Sequence, residues 1–343
     1  MKPLSIFIAV STLLFTVSHS VVAGDAKPKP DADMQKVLNE FKALEPKAIA
    51  GISPDEARKQ PTLGDAAKKI LKDSGQSIKP EPGLSLKNIN IPGPLGRIPS
   101  SVFTPDGKGP FPVIVYYHGG GFVIADTITY EASVRALAQG ANAIVVSVDY
   151  HQAPEYKFPA APNDAFAAYK WVLEHAKDFN GDSARVAVAG ESAGGNLAAV
   201  VSLMARDQNV QLPTHQLLIY PVVNDDMNTA SYQRNKYAVP LNKAAMQWFF
   251  KHYAGDAKSP YALPFKAESL KGLPSATVIT AEIDPLLFEG KAYAERLKAS
   301  GVAVDYKEYS GVTHEFFGLG AVVAKAKAAE TLAVANLKKA FAK

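Results

Sequence analysis

One serine in this 343-residue chain lies in a setting suited to nucleophilic chemistry. Ser192 is at the centre of a Gly-Xaa-Ser-Xaa-Gly pattern at residues 190–194, between an apolar run at 186–189 and a helical stretch at 193–205. Small flanking residues let a strand and a helix pass closely and hold a hydroxyl exposed on a tight turn. The N-terminus of the helix would also offer free N–H groups to an anion formed there. Ordinary strand-to-helix turns also carry this short pattern, so the prediction of a nucleophile rests on its setting.

Asp284 and His314 are the candidate partners of this serine. A serine hydroxyl needs a base within hydrogen-bond reach, and a neutral imidazole suits that task best. Each candidate follows an apolar run, at residues 276–280 and 304–309, and the carboxyl ends of parallel strands share one edge of a sheet. Asp284 would orient His314 and stabilise its charged form. Glu282, two residues earlier, is the alternative acid.

Three consecutive glycines, Gly119, Gly120 and Gly121, follow an apolar run at residues 113–117. Acyl transfer passes through a tetrahedral oxyanion, and each preorganised N–H donor is worth on the order of 10²-fold in rate. The expected donors are the N–H groups of Gly120, Gly121 and Ala193, with Gly119 as a further candidate. A flexible turn is an alternative. A phosphate loop is disfavoured because no P-loop lysine or spaced dinucleotide pattern is present.

Apolar runs alternate with amphipathic helical stretches over much of the chain. The predicted strands are residues 113–117, 143–148, 186–189, 217–220, 276–280 and 304–309. Helical stretches such as 161–177 and 286–300 separate them, which predicts a mostly parallel sheet with helices on both faces. Residues 84–104 alternate and break at Pro and Gly positions, as in an antiparallel hairpin at a sheet edge.

Two helical segments lie outside this alternation. Residues 24–83 precede the first strand, and residues 224–273 are too long for a simple crossover. We predict that both contribute to a helical cap on a catalytic domain of residues 84–343. The side chains of Phe122, Met246, Trp248 and Phe249 could line a substrate pocket beneath it, although the last three could equally form the core of the cap.

Composition and the N-terminus limit the possible functions. The chain has 47% hydrophobic residues, a net charge of +4 and no cysteine, so disulfides, a thiolate nucleophile and cysteine-ligated metals are excluded. The sequence has no basic patch with interleaved aromatic residues, so nucleic-acid binding is not predicted. Residues 1–23 carry one lysine, an apolar stretch and small residues before position 24, which predicts a secretory signal cut after Ala23. The mature protein would then be secreted or periplasmic without stable membrane insertion, the alternative being an uncleaved anchor.

The motifs together resemble the hormone-sensitive-lipase-like group of α/β-hydrolases, the bacterial family IV esterases. The segments that carry the resemblance are residues 118–122, 149–155, 158–161, 190–196, 284–286 and 314–317. It implies an α/β-hydrolase fold with a helical cap, a Ser192–His314–Asp284 triad, an oxyanion hole from the glycines and Ala193, and no cofactor or metal. Residues 149–161 would brace the loops behind the site.

Two features depart from the family pattern. Glu191 stands where aspartate is more usual, and His151-Gln152 stand where an Arg-Leu pair is usual. Neither is a triad position, so we expect them to tune substrate range or pH dependence.

The leading functional hypothesis is a serine hydrolase that cleaves small-molecule esters with short to medium acyl chains through an acyl-serine intermediate. An amidase or deacetylase would use the same triad and stays open. A non-catalytic ligand-binding module on the same fold should lack a triad member, and all three candidates are present.

Overall fold

A computed structural model describes residues 28–254 and 258–342, so the predicted secretory signal lies outside the described residues. In these ranges the strands are β1 (Leu84–Gly93), β2 (Gly96–Pro105), β3 (Phe111–Tyr117), β4 (Ile144–Val148), β5 (Gly181–Glu191), β6 (Gln216–Ile219), β7 (Ala276–Ile283) and β8 (Val304–Thr313). They form one sheet in the order β1-β2-β4-β3-β5-β6-β7-β8. β1 pairs antiparallel with β2, and β2 with β4, while the remaining pairs are parallel. The predicted α/β-hydrolase fold is confirmed.

Helices cover both faces of this sheet. They are α1 (Ala32–Ala43), α2 (Pro54–Ala57), α3 (Leu63–Asp73), α4 (Glu131–Ala141), α5 (Ala160–His175), α6 (Ala193–Asp207), α7 (Ala230–Arg234), α8 (Lys243–Tyr253), α9 (Leu287–Ala299) and α10 (Ala324–Phe341). Buried side chains of α5, α6, α8 and α9 share one apolar core, and those of α1, α3, α4 and α10 share another. Within the described ranges, no helix is long and apolar enough to cross a bilayer.

The central strands are buried on both faces, which explains their continuous apolar runs. Every residue of β4 is buried. β7 and β8 extend beyond the predicted runs, to Ile283 and Thr313. Asp284 and His314 therefore follow directly after neighbouring parallel strands, at the same edge of the sheet.

The two predicted cap segments meet each other. The stretch between α1 and α3 contacts α8, where the Trp248 indole N–H donates to the Ile52 carbonyl at 3.1 Å. α1 and α3 themselves pack together in the core that also contains α10. The division of the chain into cap segments and a catalytic domain stays a prediction.

Candidate active site

Ser192 occupies a sharp turn between β5 and α6. Its backbone is left-handed, with φ +56° and ψ −115°. A Cβ on Gly190 would lie 2.2 Å from the Gly194 carbonyl oxygen, and one on Gly194 would lie 1.9 Å from that of Tyr117. Both distances are far below van der Waals contact, so this approach of strand and helix requires glycine at both positions. The strained serine is held in place by its surroundings, as is common at functional sites.

The three predicted triad residues form a continuous chain of hydrogen-bonding contacts. His314 Nε2 is 2.9 Å from Ser192 Oγ, and His314 Nδ1 is 2.6 Å from Asp284 Oδ2. The other carboxylate oxygen of Asp284 accepts from the Leu286 N–H at 2.8 Å. All three side chains are buried, and the most exposed, Ser192, has 5% relative exposure. The arrangement can pass a proton from a hydroxyl to an imidazole whose tautomer a carboxylate sets.

Glu282, the alternative acid, has a different partner. Its Oε2 accepts from the Gly311 N–H at 2.8 Å and so connects β7 to β8. Asp284 is the carboxylate that contacts His314.

Electrostatics around His314 favour its charged form. Burial disfavours the imidazolium, but attraction to Asp284 and the hydrogen bond that His314 donates to it, with further attraction to Glu315 and Glu191, outweigh this effect. The pKa of His314 is therefore raised above its ordinary value. A base of raised pKa accepts the serine proton more readily, provided that it is neutral when the substrate arrives.

The three glycines form a tight loop after β3, which we call the triglycine loop (residues 118–124). Gly120 and Gly121 have φ +96° and +59°. A Cβ on Gly120 would lie 2.1 Å from the Ile124 carbonyl oxygen, and one on Gly121 would lie 2.2 Å from Phe249 Cδ1. Glycine is therefore required by conformation and by the packing of α8 against the loop.

The expected oxyanion donors are the backbone N–H groups of the triglycine loop and of Ala193. In the described part of the chain, no hydrogen bond uses the N–H of Gly119, Gly120 or Gly121. Ala193 is the first residue of α6, so its N–H has no acceptor within the helix.

Residues outside the site brace the triglycine loop. The Tyr150 ring stacks on His118 at 4.4 Å, and its hydroxyl donates to the His118 carbonyl at 2.9 Å. Arg58, from the N-terminal segment, donates to the carbonyls of Val123 at 2.9 Å and Ala153 at 3.0 Å. Both terminal nitrogens of Arg58 also bind the Glu155 carboxylate, which lowers the pKa of Glu155 to about 2. Arg58 belongs to no motif, so it could not be predicted from the sequence.

Glu191, the atypical residue before the serine, is buried beneath the turn. Its carboxylate accepts hydrogen bonds from the hydroxyls of Tyr116 and Tyr220. Burial raises the pKa of Glu191, although hydrogen bonds from Ser133 and the two tyrosines oppose this effect. The Tyr220 ring lies 4.6 Å from the His314 ring. Through Tyr220, Glu191 thus connects the serine turn to the surroundings of His314.

A cavity of about 430 Å³ lies beside these residues. Its lining includes Gly120, Glu191 and Glu315, the last two being sequence neighbours of Ser192 and His314, while Ser192 and His314 are not themselves lining residues. Most of its other lining residues lie in 46–50 and 57–64 of the N-terminal segment and in 239–245, with Phe249, and the rest lie between 124 and 133 and at 318–319, with Phe41. Its volume falls in the range of small-molecule sites, roughly 300–1,000 Å³.

The four predicted pocket residues lie in different places. Phe249 lines the cavity. Phe122 instead stacks on Tyr253 with ring centroids 3.8 Å apart, and Met246 and Trp248 are buried in the apolar core. Among the residues that the structure describes, no group of three histidine or carboxylate side chains is placed to hold a metal ion.

Comparison with known proteins identifies the family. The sequence profile of a family described as "alpha/beta hydrolase fold" matches residues 114–318. The chain is 40% identical to the carboxylic ester hydrolase LipN of Mycobacterium tuberculosis, over 70% of this chain and 66% of LipN. It is 39% identical to esterase LipI of the same organism, over 80% of this chain and 88% of LipI.

A solved structure gives the same result. The hyperthermophilic esterase of the archaeon Pyrobaculum calidifontis superimposes with a TM-score of 0.82 and 38% identity, covering 91% of this chain and 98% of that esterase. The chain therefore belongs to the α/β-hydrolase family, in its hormone-sensitive-lipase-like esterase group.

Proposed function

We propose that this protein is a serine carboxylic-ester hydrolase in which Ser192, His314 and Asp284 form the catalytic triad. The observation that carries the proposal is the continuous contact from the Ser192 hydroxyl through His314 to Asp284, on a turn whose geometry requires glycine on both sides. The similarity to named esterases supports the reaction class.

The reaction follows from this geometry. Ser192 Oγ attacks the ester carbonyl carbon while His314 Nε2 takes the hydroxyl proton. The carbonyl oxygen becomes an oxyanion that accepts from the N–H groups of Gly120, Gly121 and Ala193, with Gly119 a further candidate. His314 then protonates the departing alkoxide, which leaves as the alcohol. Water, deprotonated by His314, attacks the acyl-serine, and the acid is released as the proton returns to Ser192.

The size of the cavity favours esters with short to medium acyl chains as substrates. A volume of about 430 Å³ between the triglycine loop and residues 239–249 holds a small ester but limits the length of a chain that fits inside. Amides and sugar acetates are the second candidate class because the same triad can cleave them.

A panel of p-nitrophenyl esters of increasing acyl length, run on the purified chain beside Ser192→Ala, tests the proposal. We expect turnover to peak at short to medium chains and to fall about 10⁴-fold or more in the variant. Ser202→Ala is the matched control, since that buried hydroxyl donates to the Ala198 carbonyl within α6 and does not contact the triad. Mass spectrometry after fluorophosphonate treatment should place the adduct on Ser192. Turnover retained by Ser192→Ala would overturn the assignment.

We also infer from residues 1–23 that the protein is exported. Fractionation of cells that express the full chain, with N-terminal sequencing of the mature protein, tests this. An intact N-terminus in the cytosolic fraction would contradict it.

A further inference from the structure

The cavity lined by the sequence neighbours of Ser192 and His314 carries a carboxylate to which the proposed reaction gives no bond-making or proton-transfer role. Glu315 directly follows His314, lines the cavity and is partly exposed. Its Oε1 accepts from the Tyr130 hydroxyl at 3.2 Å, and Tyr130 is also a lining residue. This contact places the carboxylate at the cavity wall.

The backbone at Glu315 is unfavourable for this residue type. Its φ is +64°, in the left-handed region that favours glycine. A non-glycine residue there strains the chain, and such strain often occurs where a side chain has a function. Glycine would suit this backbone better, which makes the Glu315 carboxylate a candidate for a functional role.

Within the described residues Glu315 has no ion-pair partner, although its charge adds to the attraction that raises the pKa of the neighbouring His314. The cations that line the same cavity have other partners: Lys47 pairs with Glu56, and Arg58 with Glu155. Glu191 differs, because it is fully buried and two tyrosine hydroxyls bind its carboxylate.

An occupant of the cavity must therefore match an unpaired carboxylate. A purely apolar group would remove water from Glu315 without replacing its hydrogen bonds, which is costly for an ionised group. An ammonium group would pair with the carboxylate, and the rings of Phe41, Tyr130 and Phe249 in the same walls can contact its methyl or methylene groups.

We propose that Glu315 is a specificity-determining residue that selects esters carrying an ammonium group in the part of the substrate seated in this cavity. This inference rests on the proposed ester hydrolysis. The charged group belongs to either the acyl or the alcohol part, and the experiment separates the two.

The experiment compares cationic esters with neutral isosteres in which carbon replaces the quaternary nitrogen. One pair is butyrylcholine and its carbon analogue, which probes the alcohol part. The other is the p-nitrophenyl ester of a trimethylammonio-substituted butyrate and its carbon analogue, which probes the acyl part. The preference is the ratio of kcat/KM for the cationic ester to kcat/KM for the isostere.

We expect at least one pair to show a preference of about tenfold or more for the cation, and Glu315→Gln and Glu315→Gly to lower this ratio to about one. Glycine suits the left-handed backbone, so Glu315→Gly should fold at least as well as the parent. Glu308→Gln, which removes the same charge from an exposed position on β8, should leave the ratio unchanged.

Three results would overturn the inference. The first is a ratio near one for both pairs in the parent enzyme. The second is an equal loss on cationic and neutral esters in Glu315→Gln, which would assign Glu315 to the support of His314. The third is hydrolysis of no ester at all, which would remove the proposed function as well. Normal turnover of neutral esters with a ratio near one would remove the Glu315 inference alone.

Discussion

Arg58 donates to the Val123 carbonyl at 2.9 Å and so connects the N-terminal segment to the triglycine loop. The same guanidinium binds the Ala153 carbonyl and the Glu155 carboxylate. Because the loop supplies the expected oxyanion donors, a contact more than sixty residues away in sequence supports the geometry of the reaction centre.

Arg58→Ala should lower kcat more than it raises KM. The loop loses a fixed support, and displacement of catalytic groups by about 1 Å can cost about 10²-fold in rate. We expect a loss of about tenfold on p-nitrophenyl butyrate, with weaker inhibition by a boronate that mimics the oxyanion. Lys69→Ala is the control, since Lys69 forms ion pairs with Glu40 and Asp73 on the same segment. Equal losses in both variants would indicate general destabilisation of the segment.

Asp284→Asn should lower kcat by about 10⁴-fold, because an amide no longer sets the imidazole tautomer or stabilises its charged form. Glu282→Gln should cost less than tenfold, since its carboxylate binds a backbone N–H of β8 instead of the histidine. Steady-state kinetics of both variants check this. A severe loss in Glu282→Gln with a mild one in Asp284→Asn would exchange the two roles.

The pH profile of kcat/KM should show an acidic limb whose midpoint lies above 6.5, the ordinary value for histidine. His314 must be neutral to accept the serine proton, and its raised pKa keeps it protonated to higher pH, so activity falls as pH drops through that pKa. Glu315→Gln should move the midpoint to lower pH because the nearby negative charge is removed. A limb below 6.5 in the parent would contradict the electrostatic account.

Gly121→Ala should lower kcat by about 10²-fold on a small ester such as p-nitrophenyl acetate. The added methyl group would overlap the Phe249 ring and occupy a left-handed backbone. Phe249→Ala in the same chain removes the overlap and should restore part of the loss. A double-mutant cycle measures this coupling, and strictly additive effects would show that Phe249 does not press on the loop.

The features that the sequence predicted are those encoded in neighbouring residues. The apolar strands and the Ser192 turn are local patterns, and Asp284 and His314 could be placed because parallel strands end at one edge. The polar start of β5 at Gly181 gave no such signal. Contacts between distant segments were not predictable, as with Arg58 and Val123. The helical stripe of Met246, Trp248 and Phe249 did not reveal that Phe249 alone of these three lines the cavity, because periodicity cannot identify what each side chain meets.

The cavity has a consequence for how this protein can diversify. Most of its walls come from residues 46–64 and 239–249, whereas Ser192 and its glycines lie in the turn after β5. Substitutions in the walls can change which ester fits while the turn and its hydrogen bonds stay intact. Substitutions in the cavity walls can therefore change the range of substrates, while selection preserves the catalytic residues at the turn after β5.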